Sequence, residues 1–207
     1  MSDVCSVGVC AATFYGDTRL HLPLNESTTR LDLRLDFLTG RPGRLFSAVG
    51  SADFLHVEVT SSGRVVTSVD RGSGRPTAVA SPAGVSSVAD RRWHAVSVVL
   101  RPYNVQLTLD DVFRSRATLS GDFVELNVDV GVQLGDARYP ELPATTPVQD
   151  SSTSFRGCLR SVMFSGVDVL AAVRHAGPDT ASRSTTVTWN RCDHATTGFG
   201  RTTILSK

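Results

Sequence analysis

From Leu31 to Leu38 the chain reads Leu-Asp-Leu-Arg-Leu-Asp-Phe-Leu, which turns Leu31, Leu33, Leu35 and Phe37 one way and Asp32, Arg34 and Asp36 the other. A period of two excludes a helix and requires one face on a core and one in water or on a polar neighbour. The period returns at Phe54–Thr60, where Leu55, Val57 and Val59 share a face, and at Val105, Leu107 and Leu109. Turn residues separate these runs: Arg41-Pro42-Gly43-Arg44, Ser51-Ala52-Asp53, Ser61-Ser62-Gly63, Arg101-Pro102-Tyr103-Asn104 and Asp110-Asp111. Ala95–Leu100 is almost continuously apolar, which suits an interior strand, and Pro23 places the Thr18–Leu24 strand at an edge or marks its end. Phe123–Leu134 supplies one or two further strands. Thr77 to Asp90 reads as irregular, and Ala137–Ser152, with Pro140, Pro143 and Pro147, as a long surface loop. Roughly eleven to thirteen short strands result, with no helical segment. The expected fold is all-β: a two-sheet antiparallel sandwich closed as a jelly roll.

A chain of 207 residues suffices for one such core and is short for two. Its net charge of +1 gives no bulk attraction to nucleic acid, and no run of eighteen apolar residues spans a membrane. Of the 21 basic residues only Lys207 is lysine. Guanidinium forks suit sulfate and carboxylate groups, although a compositional bias toward arginine is the simpler account. Four cysteines and one sequon, Asn25-Glu26-Ser27, fit an oxidising, glycosylating compartment, with Asn25 the candidate acceptor. Residues 1–13 lack the basic start of a signal peptide and read as a leader or fragment start without structure; 14–193 read as the domain and 194–207 as a linker or tail.

The most distinctive stretch is Ser154–Leu170, Ser-Phe-Arg-Gly-Cys-Leu-Arg-Ser-Val-Met-Phe-Ser-Gly-Val-Asp-Val-Leu. It places Gly157-Cys158 at a strand entry, Gly166 at a turn, and Val167, Val169 and Leu170 in a second short strand. The stretch resembles the C-terminal signature of the laminin G-like (LG) family. Four other stretches resemble LG landmarks in the same order. These are Leu33–Phe37 with Gly43-Arg44-Leu45-Phe46, then Asp53–Val59 with Gly63-Arg64-Val65, then Arg92-Trp93-His94-Ala95-Val96 with Val105–Asp111, and last Val130–Gly135, where Asp136 stands for a usual second glycine. A narrower resemblance, carried by Phe14–Leu20 and Ala48–Leu55, is to the LG domain at the N-terminus of a transmembrane proteoglycan.

The resemblance implies a Cys158–Cys192 disulfide and an extracellular recognition module, not an enzyme, that binds matrix proteins or sulfated or acidic glycans through its loop rim. It also implies a Ca²⁺ site in which Asp53 and Asp129 are the two aspartate ligands; the plain alternative is that both are ordinary strand-end or turn aspartates. Cys5 and Cys10 are left open: paired together, paired elsewhere, or part of a leader. The five histidines, 21, 56, 94, 175 and 194, have no zinc spacing, and His94 reads as a strand residue at the sheet surface. Arg71, Arg75, Arg91, Arg92, Arg114 and Arg116 are candidates for a sulfate-binding patch, against the simpler reading of scattered solvated charges. A soluble jelly-roll lectin, of pentraxin or legume type, is the rival reading. An enzyme would need paired carboxylates in a cleft, for which Asp110-Asp111 in a hairpin turn is a poor candidate.

Overall fold

The computed structural model describes residues 11–119, 121–135, 154–176, 182–183, 187–190 and 192. The long Ala137–Ser152 loop, Cys5, Cys10 and His194 lie outside them. In chain order the strands are β1 (Ala11–Tyr15), β2 (Leu20–Leu22), β3 (Glu26–Thr28), β4 (Leu31–Thr39), β5 (Gly43–Val49), β6 (Asp53–Val59), β7 (Val65–Arg71) and β8 (Thr77–Ala80). They continue with β9 (Trp93–Arg101), β10 (Asn104–Leu109), β11 (Phe113–Thr118), β12 (Leu126–Val128), β13 (Gly131–Leu134), β14 (Arg156–Phe164), β15 (Val167–Asp168), β16 (Ser182–Arg183) and β17 (Thr188–Trp189), with one helix, α1 (Val169–His175).

Two antiparallel sheets pack face to face. The first runs β11-β10-β9-β4-β14-β1-β17, with β15 on β14; the second runs β16-β2-β13-β5-β6-β7-β8, and β12 pairs with β3 beside them. The alternation at Leu31–Phe37 is realised in β4, where Leu31, Leu33, Leu35 and Phe37 are buried and Asp32 and Arg34 exposed. The apolar β9 is interior, flanked by β10 and β4. Phe46 of the second sheet meets Phe164 of the first at 5.5 Å between ring centroids, and Phe14 meets Phe155 at 5.6 Å. All four rings are fully buried, and each stabilises the sandwich by about 1.5–3 kcal/mol.

Three features differ from the sequence expectation. β1 begins at Ala11, ahead of Phe14, because its ladder to β14 pairs Ala11 with Arg160 and Ala12 with Leu159. β8 occupies part of Thr77–Asp90, hydrogen-bonded to β7 with only Val79 of its four residues buried. The third is helical: after β15 the chain turns into α1 where a second strand was expected. The Asp168 carboxylate accepts from the Ala171 N–H as an N-cap, and Val169, Leu170 and Val173 are buried at helical spacing. Among the described residues no helix is long and apolar enough to cross a membrane.

The last strands return to the first. β17 pairs with β1, aligning Trp189 with Ala12, and the Ala11 N–H donates to Asn190 Oδ1 at 3.0 Å. Cys192 then closes a disulfide onto Cys158 of β14, with Cα atoms 5.7 Å apart.

Candidate functional site

Residues 51, 53, 129 and their neighbours meet at one rim of the sandwich, because three strand ends converge there. β6 starts at Asp53, β7 ends opposite it at Arg71, and β12 brings Asn127 alongside. Asp53 has the parity of Leu55 and Val57, so its carboxylate turns inward; it is 5% exposed. Its Oδ2 accepts from the Asn127 N–H at 2.7 Å and from Asn127 Nδ2 at 3.0 Å. Asp129, in the turn between β12 and β13, accepts from the Ser51 N–H at 2.7 Å and from Ser51 Oγ at 2.6 Å, and these bonds, the hydroxyl first, hold its carboxyl below the ordinary range. Gly50 permits this close packing: a Cβ there would overlap the Asn127 carbonyl and come within 2.9 Å of Asp129 Oδ1.

Arg71 lies across the ladder from Asp53 on the same inward face and is 6% exposed. Its Nη1 donates to the Pro102 carbonyl at 2.6 Å and to the Val124 carbonyl at 3.1 Å. Pro102 belongs to the β9–β10 turn, so this guanidinium straps the second sheet to the first. Burial lowers its pKa, and Asp53 opposes that. The Leu119 N–H in turn donates to the Tyr103 carbonyl at 2.9 Å. Next in the chain to the two bonded carbonyls are Tyr103 and Phe123, 67% and 61% exposed.

The structure thus brings both predicted calcium ligands to one rim. A divalent ion there needs six to eight oxygen ligands at 2.3–2.6 Å. Three of the four carboxylate oxygens already accept protein protons, and the charge facing Asp53 is a guanidinium. Among the described residues no three His, Cys, Asp or Glu side chains gather in a metal-binding group. As arranged, the donor set is taken up by protein hydrogen bonds and does not present the oxygens a calcium ion needs.

The arginines divide. Arg71 is interior, and Arg91 and Arg92 lie at the opposite end of β9. Arg114 and Arg116, two apart on the edge strand β11, share its solvent face and are both exposed. His94 is not a surface residue as expected. Its side chain is 15% exposed and turned toward the buried Phe37 ring at 5.7 Å, with Nδ1 against Asp110 Oδ2 at 2.9 Å and Nε2 against Asp90 Oδ1 at 3.0 Å. Burial pulls its pKa down, but the two carboxylates outweigh it and the net shift is upward. The outer face of the second sheet holds a buried ion pair, Arg44 Nη2 to Glu58 Oε2 at 3.3 Å, beside His56, whose ring stacks on Phe54 at 4.4 Å. Burial, and then the Arg44 charge, keep His56 neutral well below the ordinary range. Asn25 is exposed just before β3.

Sequence reasoning missed the Arg71 strap, though a signal was there. Val65, Thr67, Val69 and Arg71 share one parity, so the arginine continues a buried face.

The model of the laminin G domain family matches residues 38–167. The chain is a laminin G domain. Rat chondroitin sulfate proteoglycan 4 is 28% identical to it over 160 residues, which are 77% of this chain and 7% of that protein. The chain thus spans a small fraction of the curated relatives it matches. Among solved structures, the mouse laminin α1 chain LG4-5 domains superpose with a TM-score of 0.68 at 22% identity, covering 86% of this chain and 46% of that one. The heptameric SAP-like pentraxin of Limulus polyphemus superposes with a TM-score of 0.60 at 12% identity, covering 91% of this chain and 99% of that one. The jelly roll is therefore common to laminin G domains and pentraxins, and the family match rather than the fold separates them. The disulfide of this laminin G domain and its Trp93-His94 strand entry lie where the sequence resemblance placed them.

Proposed function

We propose that this laminin G domain is an extracellular recognition module, not an enzyme, that engages a matrix protein or an acidic glycan through the Asp53–Arg71 rim. The observation that carries this reading is the pair Tyr103 and Phe123. Two large aromatic side chains, 67% and 61% exposed, stand on loops whose backbones are anchored by one buried guanidinium. Exposed aromatics on pre-organised loops offer contact area at little entropic cost, which is how interface anchors work. An oxidising compartment is supported by the Cys158–Cys192 bond, and a setting in matrix or on a cell surface by likeness to laminin and to a proteoglycan.

A second reading is favoured by Arg114 and Arg116. Two guanidiniums about 7 Å apart on one strand face suit a sulfated glycan chain, bound outside the rim. Solid-phase binding to immobilised heparin and to immobilised matrix proteins, over a salt series, separates the two. Loss of binding in Tyr103→Ala and Phe123→Ala supports the rim, and loss in Arg114→Ala/Arg116→Ala with a shallower salt dependence supports the strand face. Binding untouched by all four substitutions refutes both.

A further inference from the structure

The rim has the oxygen-rich, three-loop layout that a bound cation would organise, yet its arrangement does not fit calcium, and the residue that resolves this is Arg71. We propose that the Arg71 guanidinium is the resident cation of the rim, holding together the segments a metal would otherwise hold, so that this laminin G domain assembles its rim without calcium. The inference stands whichever partner the rim takes.

Four observations carry it. Arg71 is placed by register opposite Asp53, on the inward face, so the ladder sets the two charged residues side by side. Its Nη1 is shared between the carbonyls of Pro102 and Val124, which come from the β9–β10 turn and from the approach to β12. Main-chain carbonyls from separate segments are oxygens a hard cation recruits, and here two of them are bonded by a charge attached to the chain, with the Asp53 carboxylate across the ladder. The residue is almost wholly buried, and the two bonds from Nη1 offset part of a desolvation cost to which the unpartnered Nη2 adds. Last, Asn127 occupies Asp53 Oδ2 and Ser51 occupies both oxygens of Asp129 with N–H and O–H groups, tying Asp53 to β12 and Asp129 to the Ser51 turn.

A guanidinium differs from a metal in a way that can be measured. It does not exchange with solvent, so chelators leave it in place. The test is a calorimetric titration of the folded domain with CaCl₂, alongside thermal unfolding in CaCl₂ and in EDTA, with hydrogen exchange on the wild type and Arg71→Met. The expected result is no saturable heat and the same Tm in both buffers. In Arg71→Met the amides of Leu119 and Asn127, which depend on the strapped loops, should exchange at least about tenfold faster, the loss anticipated for charge-assisted hydrogen bonds. The Asp110 amide, at the far end of β9–β10, should keep its rate. Saturable calcium binding by the wild type that Asp53→Asn or Asp129→Asn removes would overturn the proposal. So would unchanged exchange at Leu119 and Asn127 in Arg71→Met. If Arg71→Met does not fold, Arg71→Gln, which keeps a donor but not the charge, replaces it in the exchange measurement, and the wild-type titration stands on its own. Failure of Tyr103→Ala to affect partner binding bears on the proposed recognition role alone.

Discussion

Removing the Cys158–Cys192 bond by the double substitution Cys158→Ala/Cys192→Ala gives the sharpest stability test. The two cysteines are 34 residues apart in sequence. In the chain-entropy model a loop of that length restricts the unfolded chain by about 3.8 kcal/mol at 25 °C. For a domain near 200 residues, each kcal/mol moves Tm by about 2–4 °C, so the expected fall is about 8–15 °C. The folded side should change little. β17 keeps its register to β1, and Tyr15 Oη keeps its hydrogen bond to Thr188 Oγ1 at 2.8 Å. The assay is urea unfolding followed by tryptophan fluorescence in a Trp189→Phe background, so that Trp93, at the start of the interior strand β9, reports the global transition. Because the staple acts on the unfolded chain, the m-value should rise as that chain expands. A loss below about 1 kcal/mol with an unchanged m-value would refute the reasoning. It would mean that the unfolded chain already holds those segments together.

Breaking the Arg44–Glu58 pair with Glu58→Ala strands a buried guanidinium whose Nε is already without a partner, and should cost about 3–5 kcal/mol in the same urea assay. Replacing both by methionine should restore stability to within about 1 kcal/mol of the wild type, since the charges then leave together. Buried His56 and half-buried His94 should give opposite pH dependences. His94 has a folded pKa raised above 6.5, so its contribution is full below the unfolded pKa and is lost as pH rises through the folded one. His56 has a folded pKa well below 6.5, so its contribution is present above 6.5 and is lost as pH falls toward the folded value. Urea unfolding between pH 8 and 5 should therefore show a steeper acid loss for His94→Gln than for the wild type, and a gain on acidification for His56→Leu. Parallel curves for all three proteins would contradict the assignments.

The strands and their facing were legible because a period of two, once anchored by buried Leu31, Leu33, Leu35 and Phe37, fixes which side of each residue meets the core. The disulfide was legible only through the family resemblance, since four cysteines alone allow several pairings. The helix was not legible. Val167, Val169 and Leu170 suit a strand as well as a helix, and Asp168 decides the matter by capping from a position the pattern leaves neutral. At the rim, the resemblance picked Asp53 and Asp129 as calcium ligands, and the structure sets both at one end of the sandwich. What they do there depends on Ser51, Asn127 and Arg71, whose hydrogen bonds are products of register and turn geometry that no spacing of acidic residues reveals. The same holds for His94, whose two carboxylate partners come from a loop and from a hairpin turn.

The pairing of β17 with β1 sets Ala11 and Asn190 side by side at one sheet edge, joined by two hydrogen bonds. A tether pulled through those two residues therefore meets a module that hangs from it as a pendant, not one strung along its length. Tension between them loads the short β1–β17 ladder across its width. Parting that ladder would add little to the tether's reach, because the Cys158 bridge holds the chain beyond Asn190 to β14, the strand on the other side of β1. A pull through Ala11 and Asn190 is thus carried first by β17, β1 and β14.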